Sequence, residues 1–236
     1  MFHLHNIVRQ HDGQFRIFLA VSLSILVLTG ILTVRDRTTY SGFFGSINPL
    51  LVVTFIIITG HLLMARLLAT TTLRIYTEAS KVRLLFIVVI PLVLCVGIVW
   101  VDAQGVFPQH LNVAFPHSLL FYPSMAYVVE ILFHILPLTL VVVIINVVFR
   151  PRIQTTTMLI SMLVVALIEP IFQILNFGRE YPAWAIVYVG VNILVINCLQ
   201  LWLFVKYDFV SMYAFRLMYY LLWHIIWGVL RLRWLF

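Results

Sequence analysis

Seven runs of about twenty mainly apolar residues, separated by short polar segments, leave this 236-residue chain few folds to choose from. They fall near 15–34, 47–68, 82–101, 124–148, 156–177, 183–205 and 211–231. In lipid every backbone N–H and C=O must be satisfied within the chain, so runs of this length become membrane-spanning helices. Composition agrees: 63% of residues are hydrophobic and only 10% charged, too few charges to cover a soluble globule of this size. Mean hydropathy is +1.09. The sequence predicts an all-α polytopic bundle forming a single transmembrane domain over 1–236. The 102–122 loop has no Lys or Arg and could add an eighth, interfacial or re-entrant helix. Pro49, Pro123 and Pro182 sit at expected helix starts, where a missing N–H costs little.

The first run lacks a small-x-small cleavage site and reads as a retained anchor rather than a signal peptide. Arg9, Arg16, Arg66, Arg74, Lys81, Arg83, Arg150, Arg152, Lys206 and Arg216 fall on the N-terminal side of the bundle. Arg35, Arg37, Arg179, Arg231 and Arg233 fall on the other. This bias predicts a cytoplasmic N-terminus, in what reads as a bacterial inner (cell) membrane. The net charge of +7 is spread over short loops without interleaved aromatics, so the expected partner surface is the lipid bilayer and not nucleic acid. Cys95 and Cys198 lie inside apolar runs without metal-type spacing and read as small core residues.

Polar residues inside the spans carry the functional signal, because a charge at the bilayer centre costs roughly 2.5–3.5 kcal/mol on insertion scales and needs a partner or a cavity. The fourth span contains VVEILFHILP, residues 128–137, with Glu130 and His134 on one helical face. The fifth carries a stripe of Glu169, Gln173 and Asn176, and the seventh a stripe of Arg216, Tyr220 and His224 beside Trp223 and Trp227. At 1.5 Å per residue, Glu130 is expected about 10 Å and His134 about 16 Å below the start of their helix. Glu169 and His224, on helices running the other way, come out in the same layer. Their shared depth predicts one site within residues 123–231, facing one cavity. Pro137 and Pro170 each remove a helix hydrogen bond and free an upstream carbonyl beside these groups.

Each residue also has a plain structural reading. Glu130 with His134 has a second reading as an ion pair that fixes helix packing. Gln173, Asn176, Asn192 and Asn197 read as packing contacts, Arg216 as a side chain snorkelling to the headgroups, and Tyr220 as packing or interfacial belt. His61 reads as a satisfied core histidine, and His3, His5 and His11 as solvated.

The stretch Val129-Glu-Ile-Leu-Phe-His134 resembles the EExxxR motif of the CAAX-protease and bacteriocin-processing (CPBP) family of intramembrane proteases. Glu130 matches the second glutamate and His134 the arginine. The next motif, FxxxH, falls on Phe172-x-x-x-Asn176, and the last, HxxxN, on His224-x-x-x-Gly228. Val129, Asn176 and Gly228 depart from the pattern, and the first glutamate is the one the family uses to activate water. The resemblance implies a glutamic-type intramembrane protease with no bound metal or other cofactor, acting on a membrane-associated peptide or protein. On the chemistry of the residues themselves, Glu130 is expected to be the base, His134 its orienting partner, and His224 with Asn176 to serve the oxyanion. Glu130 and Glu169 could exchange roles, with Gln173, Arg216 and Tyr220 in support. The chemistry is coherent, since a carboxylate in an apolar site can take a proton from water while a nearby histidine or amide steadies the oxyanion.

Two other classes fit the same residues. A transporter or channel could use Glu130 and Glu169 as proton or ion sites. A haem subunit could ligate iron with two of His61, His134 and His224.

Overall fold

The computed structural model describes residues 11–149, 155–176 and 181–236. His3, His5, Arg9, Arg150, Arg152 and Arg179 lie outside them. Among the described residues there is no strand, and seven helices are long and apolar enough to cross a membrane. The chain is an integral, multi-pass, all-α bundle. Its spans are α1 (Asp12–Arg35), α2 (Pro49–Thr70) and α3 (Lys81–Asp102), then α4, α5, α6 (Ala183–Lys206) and α7. α4 comprises Ser118–Val129, a π-helical stretch Glu130–Ile135, and Leu136–Phe149. α5 is broken into Thr155–Ala166 and Ile168–Asn176. α7 comprises Phe209–Tyr220, a second π-helical stretch Leu221–Trp227, and Gly228–Trp234.

Local chemistry sets these boundaries. Pro49 opens α2 behind an Asn48 cap whose side chain accepts from Leu50 N–H. Ser80 caps α3 through Arg83 N–H, and Asp208 caps α7 through Ser211 N–H at 2.7 Å. Pro123 does not open α4, which begins five residues earlier at Ser118 and carries the proline inside it. Glu130 is therefore about 18 Å into its helix, deeper than expected. The 103–117 loop holds one 3-10 turn, Gln109–Leu111, and no eighth span. Of the two site prolines, Pro170 acts as expected. Pro170 frees the carbonyl of Ala166, which accepts instead from Asn197 Nδ2 at 3.2 Å. Just before Pro137 the ladder slips to a longer ring, with Leu136 N–H donating to Ile131 O.

α4 and α7 form the middle of the bundle. α1 and α2 pack on α4, α3 packs on α7, and α6 lies between α5 and α7. Half of α7's most apolar window is buried, against 28% for α1 and for α3, so the helix richest in polar groups is also the most enclosed. Exposed Leu, Val and Ile cover the outer faces of α1, α2, α3 and α5, as lipid contact requires. Gly60 admits the close approach of α2 and α4: a Cβ there would lie 2.9 Å from Ile131 Cδ1. Cys95 and Cys198 are free thiols packed in the core.

Candidate functional site

Arg216 organises the polar residues of three helices. Its expected place at the headgroups is wrong: it is 3% exposed, because α7 starts at Phe209 and carries residue 216 about 11 Å inward. The guanidinium then meets two carboxylates. Nε–H donates to Glu130 Oε1 at 2.7 Å. Nη1 and Nη2 form a fork onto Glu169, at 3.1 Å to Oε1 and 2.9 Å to Oε2. Nη2 also donates to Gln200 Oε1 at 3.0 Å and Asn197 Oδ1 at 3.3 Å, and Nη1 lies 3.4 Å from the Tyr220 hydroxyl. All the hydrogen-bonding directions of the guanidinium are thereby taken up.

Glu130 is fully enclosed. Its Oε1 accepts from Arg216 and Gln200 Nε2, and its Oε2 from His134 Nδ1 at 2.7 Å. His134 is equally enclosed, and its Nε2 has no partner. Two carboxylates around one guanidinium leave one negative charge uncompensated when all three are ionised. Burying such a group costs several kcal/mol per ion in desolvation, which hydrogen bonds must offset.

A cavity of about 120 Å3 opens on the far side of Arg216, enough for several waters. Its polar wall is Glu169, Gln173, Asn192, Arg216, Tyr220 and His224, and its apolar wall includes Ile98, Phe107 and Trp223. Gln173 Nε2 donates to Glu169 Oε1 at 3.2 Å, and Asn192 Nδ2 to the Tyr219 hydroxyl at 2.9 Å. His224 hydrogen-bonds through Nδ1 to Asn112 Oδ1 at 2.7 Å. Its ring stacks on Tyr122 at 4.5 Å and meets Tyr220 edge-on at 4.9 Å.

The expected residues therefore divide. Arg216 joins Glu130, His134 and Glu169 into one network, and Glu169 shares the cavity with His224. Glu130 and His134 are not among the residues lining that cavity; they stand behind Arg216. Asn176 does not join. It is exposed at the last turn of α5, seven residues beyond Glu169, and its amide bonds to Phe172 O. Among the described residues no three His, Cys, Asp or Glu side chains are grouped to hold a metal ion. His61 is tied through Nδ1 to Ile57 O and packs on Phe18 at 4.6 Å; neither it nor His134 reaches the cavity of His224. Gln200 and Asn112 escaped the sequence reading, being single amides without a charged neighbour or a helical stripe. Both π-helical stretches contain a site histidine, and only the first has a proline to announce it.

Comparison with protein-family models, curated proteins and solved structures returned no match for this chain.

Proposed function

We propose that this chain is a glutamic-type intramembrane hydrolase that cuts a peptide bond of a membrane-associated substrate with water held against Glu169. The observation that carries this reading is the meeting of Glu169, Arg216 and His224 on one small cavity inside the bundle. The fork from Arg216 takes one lone pair on each Glu169 oxygen, and Gln173 takes another on Oε1, so Oε2 keeps one for water. The water oxygen bonds to the scissile carbonyl carbon, and its proton passes to the His224 imidazole. His224 then returns that proton to the amide nitrogen as the C–N bond breaks. Arg216, the cation on the cavity wall, steadies the oxyanion by its charge alone, since its N–H groups are already engaged. Glu130 and His134 hold Arg216 from behind, so the carboxylate that meets water is Glu169, one of the two assignments the sequence left open.

The CPBP resemblance on Glu130, His134 and His224 supports the same class. The basic-residue bias supports a cytoplasmic N-terminus, which would put the cavity and the 103–117 loop toward the outer leaflet of what we read as a bacterial cell membrane. A second reading, a proton-coupled transporter, is favoured by the surplus carboxylate and the unpartnered His134 Nε2, since one bound proton would neutralise the group.

The test compares protein termini in membranes of cells making wild-type protein or Glu169→Gln, at matched abundance. Termini that appear only with wild type, and vanish again with His224→Ala, support hydrolysis. Identical termini, with pH-driven flux in liposomes abolished by Glu169→Gln, would replace it with the transporter reading.

A further inference from the structure

We infer that Asn112, on the loop between α3 and α4, is a positioning residue for His224, holding it as a neutral imidazole with a proton-accepting Nε2, and that Gly228 is the notch that admits it. The cavity role of this Nε2 rests on the hydrolytic reading above; the tautomer itself does not.

The amide's orientation follows from the donors around it. The Tyr122 hydroxyl accepts from Val113 N–H at 3.0 Å, so its own proton is free to go elsewhere. Asn112 Oδ1, at 3.4 Å, is the acceptor on offer. His224 Nδ1 lies 2.7 Å from the same oxygen. Two donors thus converge on Oδ1, and an amide turned the other way would set Nδ2 against the Tyr122 proton. With Oδ1 toward the ring, the proton of a neutral His224 sits on Nδ1, and Nε2 keeps its lone pair. Stacking on Tyr122 and the edge contact with Tyr220 limit rotation of the ring.

Gly228 lies one turn beyond His224. A Cβ built there would fall 3.1 Å from Asn112 Nδ2, 3.4 Å from its Cβ and 3.5 Å from its Cγ. A Cβ at 228 would press on the loop amide, which would have to give by a few tenths of an ångström. The helix therefore gives up its own side chain at this level and receives an amide from the loop. Asn112 Nδ2 is itself buried without a partner. An amide held in place at the expense of one buried donor is oriented by its oxygen.

The measurement is nitrogen NMR of histidine-labelled protein in lipid nanodiscs, with the His224 signal assigned by its loss in His224→Gln. Wild type is expected to show a single neutral ring protonated on Nδ1. In Asn112→Leu, of similar volume but without the acceptor, that signature is expected to give way to a mixture or to the Nε2-protonated form. Gly228→Ala should move it the same way with Asn112 intact, which guards against a loop that merely misfolds. A wild-type ring protonated on Nε2, or an unchanged ring in Asn112→Leu, would overturn the inference. If both variants shift the tautomer while membrane-protein termini stay as in wild type, the inference about Asn112 stands and the hydrolytic reading falls.

Discussion

Two buried arginines of α7, fifteen residues apart, show what separates a fastening from a site. Arg231 faces one carboxylate. Its Nε and Nη2 fork onto Asp102 at 2.7 and 2.8 Å, Trp227 Nε1 donates to the same side chain at 2.6 Å, and the remaining N–H groups take the carbonyls of Phe107, Pro108 and Gln109. The ion pair sets one cation against one carboxylate, neither side chain lines the cavity of Glu169 and His224, and the pair ties the 103–117 loop to the end of α7. Arg83 makes a similar closed pair with Asp208 at 2.6 Å, with Thr77 completing it, and so fixes the start of α7. Arg216 faces two carboxylates, one of them also held by His134, and forms part of a cavity wall. A neutral, closed pair can be exchanged for apolar side chains; an unbalanced one beside water resists such exchange and has chemistry open to it.

The largest expected effect breaks the comparison at its centre. Arg216→Met leaves Glu130 and Glu169 facing each other without a cation, a loss of about 3–5 kcal/mol for a broken buried ion pair. The variant should fail to accumulate, or should unfold far below wild type in detergent. Joint replacement of Arg231 by Met and Asp102 by Leu should cost less than Arg216→Met because no charge is left unpaired, its loss of about 1–3 kcal/mol coming from Trp227 Nε1 and the loop carbonyls that lose their partner. Combining Arg216→Met with Glu130→Gln and Glu169→Gln should recover much of the abundance and none of the cleavage. Thermal unfolding of the purified set checks all three. Equal damage from the single Arg216 change and the Arg231–Asp102 double change would erase the distinction.

Within the Arg216 group the effects should be unequal. His224→Ala, which removes the proton acceptor, should lower cleavage about 10²–10⁴-fold, and Glu169→Gln, which changes the group that holds and orients the water, should lower it by at least about 10²-fold. Glu130→Gln should cost less than about tenfold, because it leaves Arg216 and Glu169 as a balanced pair and Glu130 does not line the cavity. Its stability should stay within about 1–2 kcal/mol of wild type, an amide being cheaper to bury than a carboxylate. Initial rates on a substrate identified from the terminus comparison would order the three variants. Glu130→Gln as damaging as Glu169→Gln would return the water to Glu130.

How much of this was legible follows from what each feature depends on. The seven spans were readable because lipid demands long apolar runs whatever the neighbours are. The partnership of Glu130 with His134 was readable because it is local, four residues apart on one helix. Arg216 was misread because what keeps it from the headgroups is the pair of carboxylates that meet it from other helices, Glu130 and Glu169, 86 and 47 positions away in sequence. Asp102 and Arg231, read as loop charges, are buried only because the chain brings them together across 129 positions of sequence. Asn176 shared a helical stripe with Glu169, yet periodicity does not say how far along a stripe the enclosing helices extend. Pro170 announced a free carbonyl; that Asn197 would take it could not be read from one strand of sequence.

The smallest expected effect uses a carboxylate outside the membrane-spanning helices as the control for these buried ones. Asp36, in the turn after α1, accepts at Oδ1 from the Thr38 N–H and hydroxyl and at Oδ2 from the Thr39 hydroxyl, and His117 stands 3.5 Å away. The hydrogen bonds from Thr38 and Thr39 stabilise the ionised form and lower its pKa from the ordinary 3.8 to about 2. The folded value lies below the unfolded one, so the stabilisation is fully present above pH 3.8 and is lost as pH falls through about 2. Asp36→Asn removes the charge at every pH and should unfold slightly more readily than wild type at neutral pH. The gap between the two proteins should close between those two values and nowhere else. Unfolding temperatures of both proteins, followed from pH 7 downward in one detergent, make the comparison, since the groups that do not face Asp36 are alike in the pair. A gap that persists at the lowest pH, or that closes near neutrality, would show that Asp36 acts through something other than its threonine bonds.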